Sequence, residues 1–328
     1  MNNSSPYDVY FYEAFEEEAA ELKKHADPAW RAGYTWKTIQ ESGETAPPAR
    51  LISARTQSIL PVEWAGQLAG ILSRSTGYDH LQDYREKTGT DAALGYLPLY
   101  CNRAVAEQAM LLWMALLRKL PRQVRQFNSF SRDGLTGLEC AGKNLLVVGV
   151  GHIGYEVVKI GAGLGMEVRG VDLFKRHKEL QYIDRNAGVG WADIIVCSMN
   201  LTRINRGYFS YELLAGAKPG FILVNIARGE LTPMQDLLRA LEEERLGGLG
   251  LDVYENEGNL AAGLRSERRE PSPELALIHK LQAMDNVIFT PHNAFNSAES
   301  VVRKSVQSMQ QVRQFFASGG FLWNVPEE

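Results

Sequence analysis

Four side chains in the second half of the sequence are of the types that an acid–base and anion-binding site uses. They are Arg228 in FILVNIARGEL, Asp252 and Glu257 in GLGLDVYENE, and His292 in NVIFTPHNAF. A guanidinium grips a carboxylate through a fork of charge-assisted bonds. An imidazole exchanges protons near neutral pH, and a neighbouring carboxylate can orient it and favour its protonated form. Each residue also has an ordinary reading. Arg228 can cap a helix, Asp252 can be a structural acceptor, Glu257 can sit in a solvated acidic loop, and His292 can be a turn residue behind Pro291. Spacing alone leaves both readings open.

What must position these residues is legible around them. From Leu145 onward the chain repeats short apolar runs, LLVVGV, EVRGVD, DIIVCS, FILVNI, GLGLDV and NVIFT, mostly without strict alternation. Strands buried on both faces of a parallel sheet have this pattern. Separators such as IGYEVVKIGAGLG and MQDLLRALEEE are long enough for crossover helices. The reading is a doubly wound α/β domain between roughly residues 103 and 296, with its ligand site at the carboxyl ends of the strands. Before it, YDVYFY (7–12), ARLISA (49–54) and Gly70 to Ser73 read as strands, and FEEEAAELKKHA as a helix. A helix is expected from Arg103 through RAVAEQAMLLWMALLRKL, and residues 297–320 read as one amphipathic helix. The stretch 258–276 reads as an irregular surface excursion.

LLVVGVGHIGYEV sets Gly149, Gly151 and Gly154 in the spacing GxGxxG, with an apolar strand before and a helical pattern after. Gly149 permits the tight turn and Gly151 clears the approach of a pyrophosphate. Gly154 lets the helix pack closely, so that its free N–H groups face phosphate. Asp172 ends the next strand candidate eighteen residues after Gly154, where a carboxylate accepts the adenosine ribose hydroxyls. That acidic residue favours NAD over NADP, although Lys175 and Arg176 follow it.

The bulk numbers agree with a two-domain globular chain: 328 residues, 45% hydrophobic, 23% charged, net charge −4. There is no basic excess to attract nucleic acid. Cys101, Cys140 and Cys197 are too few and too dispersed for a disulfide framework or a metal knuckle. The N-terminus lacks a signal-peptide pattern, and the apolar stretch AMLLWMALL is too short to span a bilayer. A cytoplasmic protein without membrane or nucleic-acid partners is expected.

Taken in order, SRSTGYDHL (73–81), LYCNRAVAEQA (99–109), the glycine turn, VNIARGEL (224–231), LDVYENE (251–257) and TPHNAF (290–295) resemble the D-isomer-specific 2-hydroxy acid dehydrogenases. The likeness covers nearly the whole chain. It implies two Rossmann-like domains, with an NAD-binding domain (103–296) inserted into a substrate domain formed by 1–102 and 297–328. It implies Arg228 on the substrate carboxylate, His292 as the proton-exchanging group, Glu257 as its partner and Asp252 as the organiser. Thr76, Gly77 and Tyr100 would complete the substrate site. Cofactor contacts would come from the glycine turn with His152 and Ile153, from Asp172, and from Val105, Ser198, Met199, Asn200, Ile226, Ala227, Asp252 and His292.

By the same resemblance the helix from residue 103 contributes to a homodimer. Within the family the likeness leans toward the D-lactate dehydrogenases, through Tyr100, Phe295 and the insertion after Glu257. Departures from the family pattern are Gln108 where histidine is frequent, Gly258 in place of a common proline, and CSMNLT (197–202) without a frequent His-x-Pro. The expected activity is NAD-dependent interconversion of a small D-2-hydroxy acid and its 2-keto acid, D-lactate and pyruvate first. Glyoxylate, hydroxypyruvate or another 2-keto acid is the alternative, as is an NAD(H)-sensing binding protein.

Overall fold

Runs such as LISA (51–54) and FILVN (221–225) bury every residue, as strands covered on both faces do. In the computed structural model, which describes residues 5–265 and 273–326, these runs form two wholly parallel sheets. The chain divides into two compact units, one of Met1–Cys101 with Asn296–Glu328 and the other of Asn102–Phe295.

The first unit holds β1 (Val9–Phe11), β2 (Ala32–Tyr34), β3 (Leu51–Ala54), β4 (Gly70–Ser73) and β5 (Ala93–Gly95). Their order is β2-β1-β3-β4-β5, that of a flavodoxin-like doubly wound sheet. Tyr12, Ile52, Trp64, Ile71 and Leu94 are among its core residues.

The second unit holds β6 (Asn144–Val148), β7 (Glu167–Val171), β8 (Gln181–Tyr182), β9 (Ile194–Cys197), β10 (Phe221–Asn225), β11 (Leu246–Leu251) and β12 (Val287–Phe289). The order β12-β11-β10-β9-β6-β7-β8 reverses direction between β6 and β9. That is the switch point at which doubly wound sheets bind ligands. Register aligns the carboxyl ends in one row: Val171, Val148, Cys197, Asn225, Leu251 and Phe289 are successive partners. The next residues are Asp172, Gly149, Ser198, Ile226, Asp252 and Thr290.

Three expectations need correction. The helix expected from Arg103 to Leu120 runs Asn102–Leu117. Lys119 turns left-handed, and a separate helix, Leu120–Gln126, opens with a proline in its first turn, where the missing N–H costs nothing. The excursion expected at 258–276 is substantially helical, in Glu257–Arg265 and Pro273–Gln282; residues 266–272 lie outside the described residues.

The C-terminal helix, Ala298–Ser318, is capped by Ser297 and is not simply amphipathic. Its covered face includes Ser300, Lys304, Ser305, Ser308 and Gln311 beside Met309, Val312 and Phe315. Four of these polar side chains have definite partners: Ser300 Oγ accepts from Arg303 Nη2 at 3.1 Å, Ser308 Oγ donates to the Lys304 carbonyl at 2.7 Å, and Lys304 and Gln311 reach further. Lys304 Nζ lies 2.8 Å from Glu18, which also receives Arg74 Nε at 2.8 Å. Gln311 donates to the Tyr96 carbonyl and accepts from Leu322 N–H, at 2.9 and 2.7 Å. A buried polar face is tolerable where it is hydrogen-bonded; within this set the Ser305 hydroxyl has no such partner among the described residues.

Candidate active site

The turn after β10 is built by a buried amide. Asn225 Nδ2 donates to the Arg228 carbonyl (2.8 Å) and to Thr232 Oγ1 (2.9 Å), while its Oδ1 accepts from Ala227 N–H (2.9 Å). Gly229 then lies directly on the neighbouring turn. A Cβ there would stand 1.9 Å from the Tyr254 carbonyl carbon and 2.3 Å from Glu255 N. The ARG sequence after β10 is therefore locked against the YEN sequence after β11. Within this turn Arg228 Nη1 donates to the Ala227 carbonyl at 2.8 Å.

Asp252, fully buried at the end of β11, organises the turn after β12. Its Oδ1 accepts from Thr290 Oγ1 (2.6 Å) and Asn293 N–H (2.9 Å), and its Oδ2 from Ala294 N–H (2.9 Å). Burial pushes its carboxyl above the ordinary 3.8, against the opposing influence of His292 and these three donors. Tyr254 adds a second tie, its hydroxyl donating to the Thr290 carbonyl at 2.8 Å.

Held between these ties, His292 has φ of 50°. Left-handed backbone is uncommon for a residue other than glycine and persists where surroundings impose it. His292 Nδ1 meets Glu257 Oε1 at 2.6 Å, and each side chain keeps 20% of its surface accessible. Glu257 opens a helix, so it is not the solvated loop residue of the ordinary reading. With Nδ1 committed to a carboxylate, Nε2 is the nitrogen left to exchange a proton with a ligand.

The glycine turn lies at the switch point. Gly149 has φ of 89°, and a Cβ there would come within 2.5 Å of the Met199 backbone. At Gly154 a Cβ would stand 2.0 Å from the Gly149 carbonyl oxygen. At Gly151, by contrast, a Cβ would meet nothing within 4 Å. The helix His152–Gly163 begins there without a side-chain cap on its first N–H groups. Open space in front of an uncapped helix start fits a pyrophosphate.

Asp172 Oδ2 accepts from Val150 N–H at 2.6 Å and Oδ1 from Phe174 N–H at 2.8 Å. The carboxylate is thus fixed beside the turn, with lone pairs left for a ribose. His152 is exposed, Ile153, Ser198, Met199 and Ala227 are partly buried, and Asn200 is exposed. Val105 and Ile226 are buried, at 5% and 7% accessible.

In the first unit, Thr76 Oγ1 donates to the Leu97 carbonyl at 3.3 Å, and the Gly77 carbonyl accepts from Ser75 Oγ at 2.9 Å. Tyr100 is buried, with Lys304 Nζ 5.8 Å from its ring centroid. These three follow β4 and β5 at the carboxyl edge of their own sheet.

The model of the D-isomer specific 2-hydroxyacid dehydrogenase family, NAD binding domain, matches residues 109–294. The chain belongs to this family. The D-lactate dehydrogenase of Escherichia coli (strain K12) is 32% identical over 222 residues, which are 66% of this chain and 67% of that one. An aromatic 2-oxoacid reductase of Clostridium sporogenes (strain ATCC 7955) is 28% identical over 76% of each chain. The crystal structure of a D-lactate dehydrogenase from Aquifex aeolicus, complexed with NAD and lactic acid, has a TM-score of 0.82 at 27% identity. It covers 95% of this chain and 96% of that one.

This D-2-hydroxyacid dehydrogenase is an NAD-dependent oxidoreductase. Among the described residues no cluster of His, Cys, Asp and Glu could hold a metal ion, and no helix is long and apolar enough to cross a membrane. Two residues that support these turns were missed in the sequence: Gly229 and Tyr254 stood inside quoted motifs, where only their contacts with backbone give them a role.

Proposed function

We propose that this dehydrogenase reduces pyruvate to D-lactate with NADH, and catalyses the reverse with NAD. The observation that carries the chemistry is the 2.6 Å contact between His292 Nδ1 and Glu257. It leaves Nε2 to donate a proton to the ketone oxygen in reduction and to remove the hydroxyl proton in oxidation. Arg228 holds the substrate carboxylate. NADH, when bound, supplies the hydride. Its pyrophosphate is held at Gly149–Gly154 with His152 and Ile153, and its ribose by Asp172. The strand-end residues Ser198, Met199, Asn200, Ile226 and Ala227, with Val105, line the remainder.

The choice of pyruvate draws on the resemblance to D-lactate dehydrogenases and on Tyr100 as an aromatic wall. Similarity to an aromatic 2-oxoacid reductase supports a second reading, in which a bulkier 2-keto acid is preferred. Glyoxylate and hydroxypyruvate differ from pyruvate by only one group, and a pocket separates such substrates weakly. The working protein is proposed to be a cytoplasmic homodimer. For the homodimer, support comes from Leu120, Val124, Phe127, Phe130 and Leu138, apolar residues that are 45–72% exposed within one segment of the second unit.

The test is NADH oxidation with pyruvate, glyoxylate, hydroxypyruvate, phenylpyruvate and a branched 2-keto acid, with chiral analysis of the product. Highest kcat/KM on pyruvate, with D-lactate formed, is expected. A preference for phenylpyruvate transfers the assignment to the second reading. Tight NADH binding with no turnover of any member removes the catalytic one.

A further inference from the structure

The loop that leaves β9 has no proline between Ser198 and Gly207 to stiffen it. Packing holds only part of it: Met199 and Leu201 lie partly buried against the core, whereas Asn200 and Thr202 are exposed and Ile204 is 93% exposed. Such a segment should open locally with ease. Instead, one side chain ties it together. Asn205 Oδ1 accepts from Thr202 N–H at 2.7 Å, and its Nδ2 donates to the Asn200 carbonyl at 2.8 Å, with Met199 Sδ at 3.5 Å. Asn205 itself is partly buried, and its own carbonyl accepts from Tyr208 N–H at 3.1 Å. Phe209, beside Tyr208 in the chain, is fully buried. The tie therefore runs from an anchored residue to the free stretch of the loop.

At its other end the loop grips the glycine turn. Ser198 Oγ donates to the Gly149 carbonyl at 2.7 Å, and the Met199 backbone packs where a Gly149 Cβ would be. The same Gly149 carbonyl lies against Gly154, at the start of the helix that faces phosphate. Ser198 thereby commits its hydroxyl proton to the glycine turn.

We infer that Asn205 is a positioning residue for the cofactor: by fixing loop 198–205, with Ser198 as the link, it sets the shape of the glycine turn that receives NAD. This rests on NAD being held at that turn and is independent of which 2-keto acid is reduced.

The test measures NADH affinity by fluorescence titration without substrate, and then the steady-state constants. In Asn205→Ala two hydrogen bonds are lost, so the Kd and KM for NADH should rise roughly fivefold to fiftyfold. The kcat at saturating NADH and the KM for the keto acid should stay near parental values. Ser198→Ala breaks the link at its other end and should also weaken NADH. Because both act through one loop, the double variant should bind NADH about as weakly as the worse single one. Unchanged NADH affinity in folded N205A overturns the inference, as does full additivity in the double variant. If N205A does not fold, unchanged NADH affinity in S198A overturns it equally. NADH binding is read before any turnover, so an inactive panel of keto acids leaves this test intact.

Discussion

His292 and Glu257 meet at 2.6 Å across two turns that Asp252 and Tyr254 tie together from below. The carboxylate is on the first turn of a helix and the imidazole on left-handed backbone. A glutamate suits the first turn of a helix, but left-handed backbone at a histidine is not a local preference, so the pair is imposed by the packing of β11 beside β12. A pair fixed in this way orients one imidazole nitrogen without waiting for a ligand.

Replacing His292 by Gln should separate proton transfer from binding. The glycine turn and Asp172 stand on other strands, so NADH affinity should remain near parental. Keto-acid reduction should fall by about a hundredfold to ten-thousandfold, the usual contribution of a positioned proton donor. Single-turnover reduction beside an NADH titration checks both halves. Near-parental turnover in folded H292Q would return His292 to the role of a turn residue.

Glu257→Gln keeps a hydrogen-bond partner for Nδ1 but removes its charge. A carboxylate supports the charge that the ring carries during proton transfer, and an amide does not. Reduction by folded E257Q should therefore fall by about tenfold or more, with NADH affinity near parental. Single-turnover reduction beside an NADH titration measures this. A rate near the parent's would mean that Glu257 only orients the ring.

Asp172→Ala should alter cofactor preference. The change removes a fixed acceptor for the ribose and its repulsion toward a 2′-phosphate. It also frees the N–H groups of Val150 and Phe174, now held at 2.6 and 2.8 Å. NADH affinity should drop by about tenfold or more, in line with loss of charge-assisted bonds, and NADPH affinity much less. Parallel titrations give the ratio. A ratio that does not move excludes Asp172 as the ribose ligand.

The strand-end row was legible in the sequence because non-alternating apolar runs identify buried parallel strands, and the residues after each run must then lie at one edge. Gly149 to Gly154, Asp172, Arg228, Asp252, Glu257 and His292 all became visible in that way. Strands β2, β5 and β8 are only three, three and two residues long, too short to show any period. The helix Glu257–Arg265 was hidden by Gly258, Asn259 and Gly263, poor helix formers that tertiary packing overrides. Asn205 was invisible because its partners are backbone atoms, whose positions no residue type announces. The polar face of the last helix was hidden for a related reason: its partners are distant in sequence.

That last case carries a pH prediction. Glu18 is 3% accessible and lies 2.8 Å from both Arg74 and Lys304. Burial alone would raise its carboxyl, but Arg74, Lys304 and Arg55 hold it down at about 2, below the ordinary 4.5. Burial in turn pulls the Lys304 ammonium down to about 8, against the raising effect of Glu18 and with Arg55 and Arg74 adding to the fall. A carboxyl that is more acidic in the folded state stabilises the fold above its unfolded value, and that stability disappears as pH falls through the folded value. For Glu18 the window runs from about 4.5 down to about 2. Glu18→Gln imitates the protonated form and leaves two buried cations without their anion. At neutral pH it should cost about 3 to 5 kcal/mol, as removal of one partner from a buried pair does. Below pH 4.5 the unfolded parent takes up this proton while the folded one keeps the charge down to about 2, so the stability that the charge contributes shrinks and the two stabilities should converge. Urea unfolding of both proteins at neutral pH and at successive acidic values measures the gap. A gap that stays constant on acidification means that the Glu18 charge contributes nothing to it, and that the cost of the substitution comes from packing alone.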